Sequence, residues 1–161
     1  MRYLGGKHTI GREIASFLHS VCPEFLVSAY LEPFCGSLGV FKHMTSYSYS
    51  QYIAGDLHAD LIALWVAVQN GTFNLPIHIS KDEYLQWKLH PTPHYMRAVC
   101  GFGLSFGGKW FGSYIQTTNA KRNYLDEFSR SIKEIASKIQ RENVSFHYKS
   151  YDSWEPQNML I

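Results

Sequence analysis

Cysteine is scarce in this chain, and the little there is has no obvious partner. Cys22, Cys35 and Cys100 stand far apart, without a CxxC and without a histidine spaced to join them. That argues against both a disulfide framework and a zinc site, and the thiols read as reduced and intracellular. Long apolar runs are missing as well: none could span a bilayer, and Met1 to Ile10 mixes charge and glycine where a signal peptide needs an apolar stretch. A soluble cytoplasmic protein is expected, from a bacterium or a virus-infected host cell, with no membrane and no metal. Repeats and low-complexity tracts are absent, and proline is scattered except in His90 to His94 (HPTPH), which reads as a rigid loop. Net charge is also small: 15 Lys and Arg against 13 Asp and Glu leave +2. So mild a balance does not demand a polyanionic partner, yet permits one where basic residues cluster on a face.

What the 161 residues do contain is 45% apolar and 16% aromatic side chains, enough for one globular domain with a real core. Phe25 to Leu31 is apolar and closes on Glu32-Pro33, as a buried strand does at the end of a sheet. Tyr52-Ile53-Ala54 ends likewise on Gly55-Asp56. Between these strands Leu38 to Met44 can form a short helix, and Leu57, Leu61, Leu64, Trp65 and Val68 have helical spacing. Leu125, Phe128, Ile132, Ile135 and Ile139 predict a long amphipathic helix, with Asp126 and Glu127 early and Lys138 and Arg141 late, the order the helix dipole favours. The period then changes to two at Val144, Phe146 and Tyr148, and Asn158 to Ile161 reads as the start of a further strand. A parallel sheet with crossover helices accommodates all of these.

The strongest chemical signal is Leu31 to Phe41, LEPFCGSLGVF, where an apolar strand meets an acid, a proline and a tight glycine turn before a helix. Glycines admit a ligand close to the backbone, and open α/β sheets bind ligands outside the carboxyl ends of their strands. Taken alone, such a turn is equally compatible with a plain tight connection. Asp56 adds weight: it ends the next strand, 24 residues after Glu32, where an acid commonly accepts hydrogen bonds from ribose hydroxyls. The loop reads GSLG rather than GxGxxG, which favours a nucleoside ligand without a pyrophosphate and argues against an NAD or adenine-nucleotide module. At the N-terminus, Arg2-Tyr3-Leu4-Gly5-Gly6-Lys7 sets a glycine pair between an aromatic and a cation, a pattern common in ordinary turns when it stands alone.

In this order the three pieces resemble the Dam-type DNA adenine-N6 methyltransferases, which carry an aromatic-x-GGK, then an EPFxG glycine turn, then an acid closing the next strand. The matching residues are Tyr3, Gly5, Gly6 and Lys7, then Glu32, Pro33, Phe34 and Gly36, then Asp56 followed by Leu57, Asp60 and Leu61. The resemblance implies a Rossmann-like α/β fold binding S-adenosylmethionine, here with an incomplete sheet, and a helical target-recognition insert. A single domain over 1–161 is expected, with residues 1–70 and 143–161 as the cofactor-binding part and about 71–142 as the insert. It also implies that Tyr3, Lys7, Glu32, Phe34 and Asp56 line the cofactor site, with Leu4, Gly5, Gly6, Pro33, Gly36 and Leu57 around them and Asp56 on the ribose. One departure concerns the turn: the second glycine is displaced to Gly39, so Leu38 must be tolerated there or narrow the pocket.

Arg97 to Tyr114, RAVCGFGLSFGGKWFGSY, resembles the family's recognition segment in its phage-like members. Lys109 could meet a phosphate of double-stranded DNA, and Phe106, Trp110, Phe111 and Tyr114 could stack on bases; the same aromatics could equally be core of a small helical subdomain. Lys121 and Arg122 extend a basic face or start a solvated helix. Val144 to Ile161 resembles the run leading into the family's DPPY, which holds a flipped adenine by its N6. No DPPY occurs in the sequence, so the expectation is that these 161 residues do not methylate alone and are either truncated or completed by a second polypeptide supplying DPPY. A sheet lacking its later strands exposes an edge, so pairing with another chain or a homodimer is expected. The competing expectation is a non-catalytic regulatory protein that keeps the cofactor pocket or the DNA face.

Overall fold

Short apolar runs that end on small or acidic residues become strands, and the 3.6-period stretches between them become crossovers. In the computed structural model, which describes residues 1–116, 118–119, 122–155 and 159–161, β1 (Ala29–Glu32), β2 (Gln51–Asp56), β5 (Val144–Tyr148) and β6 (Met159–Leu160) form one parallel sheet in the order β5-β2-β1-β6. The remaining strands, β3 (Thr118–Asn119) and β4 (Arg122–Asn123), make a separate antiparallel hairpin. The expected α/β class with a parallel sheet is therefore what the chain adopts. Asn158, read from sequence as opening the last strand, lies outside the described residues.

Helices α1 (Gly11–Val21), α2 (Phe41–Met44) and α3 (Ala59–Gln69) alternate with the first two strands along the chain, and α4 (Lys81–Leu89), α5 (Tyr95–Ala98) and α6 (Tyr124–Ile139) follow before β5. The predicted face of α6 holds at every position: Leu125, Phe128, Ile132, Ile135 and Ile139 are all buried. Trp65 of α3, Phe41 of α2 and Tyr52 of β2 are wholly buried, with Phe41 packed between Tyr52 and Phe146. This aromatic core fixes α2 and α3 against the sheet and so sets the strand ends beneath the candidate site.

Three boundaries differ from the sequence reading. Phe25 and Leu26 belong to a turn closed by the Leu26 N–H on the Pro23 carbonyl and are 82% and 62% exposed; the strand starts only at Ala29. The helix predicted from Leu38 begins at Phe41, because Leu38 takes a left-handed φ of 57° inside the turn. Leu57 precedes α3 and is exposed rather than on its apolar face. Helix α1 was not foreseen at all: its N-cap is Ile10, which makes no side-chain cap, so the usual start signal is missing.

Candidate functional site at the glycine turn

The turn after β1 is held by backbone and side-chain bonds from three elements. The Cys35 N–H donates to the Gly55 carbonyl at 2.8 Å, and the Gly36 N–H donates to Asp56 Oδ2 at 2.9 Å. The Trp65 indole donates to the Gly36 carbonyl, also at 2.9 Å. Asp56 accepts a second bond, from the His58 N–H to Oδ1 at 2.9 Å. Glycine turn and strand-end acid thus meet directly at the carboxyl edge of the sheet. A side chain at Gly36 (φ 46°) would press on the Tyr3 ring, whose nearest carbon is 3.1 Å from the place a Cβ would take, so the N-terminal aromatic packs directly against this glycine.

The displaced glycine has its own task. A Cβ on Gly39 would come within 2.9 Å of the Lys7 backbone, so at this point the N-terminal segment and the turn meet main chain to main chain, and a Cβ there would push them apart. Leu38 is tolerated: it accepts the left-handed φ and buries its side chain completely in the core, which offsets backbone strain of roughly 1 kcal/mol with apolar burial of about 2 kcal/mol.

One small cavity of about 60 Å³ opens here, less than the ~300–1,000 Å³ of typical small-molecule clefts. A nucleoside-sized ligand would therefore also cover surface outside it. Tyr3, Gly5, Gly6 and Lys7 line one side and Glu32, Phe34 and Gly36 the other. Of the remaining residues singled out from sequence, Leu4 and Leu57 are 71% and 67% exposed, and neither they nor Pro33 line the cavity; Asp56 does not line it either and reaches it only through its bond to the Gly36 N–H. Lys7 turns its ammonium back to the Gly5 carbonyl at 2.9 Å. Exposed Phe34 lies 5.3 Å from the Tyr151 ring, so residues just after β5 also reach this edge.

Burial pushes the Glu32 carboxyl up to about 7, against the opposing bonds from the Tyr30 hydroxyl (2.8 Å) and the Phe41 N–H. Burial, then the nearby Asp56 charge, lifts the Tyr3 phenol to about 12. Sequence reasoning passed over Ser37, which lines the cavity and whose buried Oγ has no hydrogen-bond partner. Its position inside the GSLG turn was the available signal. A buried hydroxyl without a partner beside a cavity suits a ligand that supplies one.

The predicted DNA-facing residues separate. Lys109 is exposed and Phe106 is 75% exposed. Phe111 is buried, and Trp110 is half-buried with its ring where a Cβ of Gly101 would sit. The Tyr114 hydroxyl donates to the Ile79 carbonyl at 2.7 Å. Arg122 forms a two-point pair with Glu127 at 2.6 and 2.5 Å and lies over Tyr124. Lys121 lies outside the described residues. Two further residues hold this region to α3: Asp60, buried, pairs with Arg97 at 3.0 Å and accepts the His94 N–H at 2.8 Å.

A parallel sheet whose glycine turn and strand-end carboxylate meet at its carboxyl edge defines an α/β protein of the kind that holds small ligands there. The model of the D12 class N6 adenine-specific DNA methyltransferases matches residues 3–154, from the N-terminal aromatic through β5 and beyond. The chain belongs to this family. Its members methylate adenine in DNA and generally take the methyl group from S-adenosylmethionine. No curated protein matches the chain. Among the described residues no cluster of His, Cys, Asp or Glu could hold a metal, and no helix is long and apolar enough to cross a membrane.

Proposed function

We propose that this chain binds S-adenosylmethionine at the glycine turn and offers it to an adenine in double-stranded DNA. The observation that carries the reading is the Asp56 carboxylate bonded to the Gly36 N–H. A carboxylate has about four acceptor positions, and Asp56 uses one per oxygen on backbone, leaving capacity for two ribose hydroxyls. Tyr3 and Phe34 supply apolar faces, Ser37 an unpaired hydroxyl, and Gly5, with nothing within 4 Å of the place a Cβ would take, leaves room for close approach, while Gly6 and Gly36 let the N-terminal segment and the turn pack together beside it. Leu4, Pro33 and Leu57 shape the rim. Bound there, S-adenosylmethionine would supply a methyl group activated by its sulfonium. Lys109 and Arg122 would meet phosphates, and Trp110 would act mainly by holding the recognition segment in shape. In this reading residues 1–70 and 143–161 carry the cofactor and about 71–142 read the DNA.

Transfer also needs a group that holds the adenine N6, the part DPPY plays in the family, and that motif is not among these 161 residues. Joined to an element that holds the adenine N6, this chain would complete the transfer. The alternative, a regulatory protein, keeps cofactor and DNA binding without transfer.

Calorimetric titration with S-adenosylmethionine and S-adenosylhomocysteine tests the pocket. Saturable binding is expected in the wild type and its loss in Asp56→Ala; no heat from the wild type sinks the reading. Labelled methyl transfer to DNA on adding a DPPY-containing partner separates enzyme from regulator.

A further inference from the structure

His58 stands two residues beyond Asp56 at the N-cap of α3, a position where side chains usually bond the first turn. Its own does not. The ring turns instead to the recognition segment, meeting Trp110 edge-on with centroids 4.2 Å apart and Phe102 at 5.1 Å. Its Nδ1 is buried without a hydrogen-bond partner. Phe102 in turn packs on Tyr3 at 4.9 Å, the ring that covers Gly36. One backbone bond, from the His58 N–H to Asp56 Oδ1, joins this aromatic group to the acid of the cofactor edge. The charged groups around the imidazole are Asp56, Asp60 and Arg97, and burial holds it below its usual pKa and therefore neutral near pH 7.

The far end of this path is under strain. Phe102 lies within a π-helical turn, Val99–Gly103, a form that recurs at functional sites. Phe111, next to Trp110, has a φ of 41°, which costs an ordinary residue on the order of 1–3 kcal/mol. The other non-glycine residue with positive φ is Leu38, in the glycine turn itself. Strained backbone thus sits at both ends of the sequence of contacts Gly36, Asp56, His58, Trp110. A segment held by packing against its own preference is one that a small displacement can release.

We infer that His58 is a positioning residue that transmits occupancy of the glycine-turn pocket to the recognition segment. A ligand hydroxyl drawing on Asp56 shifts the His58 backbone, and the ring carries that shift to Trp110. The inference rests on the proposed cofactor reading and adds to it a coupling between the two binding events. By linkage the coupling is reciprocal: duplex DNA tightens cofactor binding by the factor by which cofactor tightens DNA binding.

The test uses the full chain and S-adenosylhomocysteine. Trp110 emission is obtained by subtracting the spectrum of Trp110→Phe, and affinity is measured calorimetrically with and without duplex DNA. In the wild type, S-adenosylhomocysteine changes Trp110 emission, and DNA raises its affinity by a factor within about 5–150. His58→Asn places a good capping residue at the start of α3, so α3 keeps its start. It still binds S-adenosylhomocysteine, but the emission change disappears and the DNA factor falls to about 1. His58→Phe restores a ring against Trp110 and with it the emission change. Wild-type binding with no change at Trp110, or an undiminished change and DNA factor in His58→Asn, overturns the coupling alone. Absence of binding by the wild type removes the cofactor reading and the coupling together. Should His58→Asn fail to fold, His58→Gln replaces it with the same two readouts and the same deciding outcomes.

Discussion

Glu32 is where a single residue makes the chemistry of the site measurable. In an unfolded chain its carboxyl titrates near 4.5, whereas burial in the fold raises it to about 7. Because the folded pKa is the higher one, the folded state keeps the proton between these values. Its favourable contribution is complete below about 4.5 and is lost as pH rises through 7. Glu32→Gln lacks this titration. Urea unfolding of both proteins should therefore show the wild type losing on the order of 2–3 kcal/mol relative to the variant between pH 4.5 and pH 8. Parallel stability profiles would mean that Glu32 is solvated and not enclosed by Tyr30 and the turn.

At the scale of elements, the attachment of the recognition segment to α3 is the joint on which the two faces of the molecule depend. The Asp60 and Arg97 side chains are 9% and 18% exposed at 3.0 Å, and Arg97 also reaches the Trp87 and Lys88 carbonyls. Removing Asp60 leaves the enclosed Arg97 guanidinium with carbonyl oxygens as its remaining partners, so the cost falls toward the lower end of the roughly 3–5 kcal/mol of a broken buried pair. Asp60→Ala should show that loss in thermal or urea unfolding. Its amide exchange should quicken first across 94–111 while β1 and β2 keep their protection. Uniform quickening through the sheet would contradict the idea that this pair serves the segment.

At the scale of the whole molecule, α1 and the turn after it leave apolar surface uncovered. Phe17 and Val21, one turn apart on α1, are 66% and 62% exposed, and Phe25 and Leu26, just beyond its end, are 82% and 62% exposed. The β6 edge is a two-residue strand paired on one side only, to β1, among the described residues. Exposed apolar residues and an unpaired strand edge favour association. Sedimentation velocity across a hundredfold range of concentration should show the average mass rising, and Phe17→Ser with Phe25→Ser should suppress that rise. A concentration-independent monomer would show that this surface is simply solvated.

Much of this architecture follows from the order of residues. The apolar runs ending at Glu32 and Asp56, the change of period at Val144, and the α6 face of Leu125, Phe128, Ile132, Ile135 and Ile139 are local patterns, and the elements they produce depend chiefly on backbone periodicity and burial. The glycine turn, the acid after β2 and the N-terminal GGK were legible for the same reason, since each is a short contiguous motif. Other features needed the folded chain. Helix α1 has no cap signal, Phe25 and Leu26 are apolar yet exposed, and nothing in the sequence says that Trp110 would fill the space left by Gly101 while Lys109, beside it, faces solvent. The bond from Gly36 to Asp56 joins residues 20 apart and the pair of Asp60 with Arg97 joins two still farther apart, so neither is written in any local window. Residue order alone determined the strands that end at Glu32 and Asp56, the α6 face and the glycine turn, because those choices are settled over a few residues; it did not announce α1 or the turn at Phe25 and Leu26. Which acid meets which amide, and which aromatic is enclosed, was decided by packing, because burial belongs to the three-dimensional arrangement and not to any one stretch of chain.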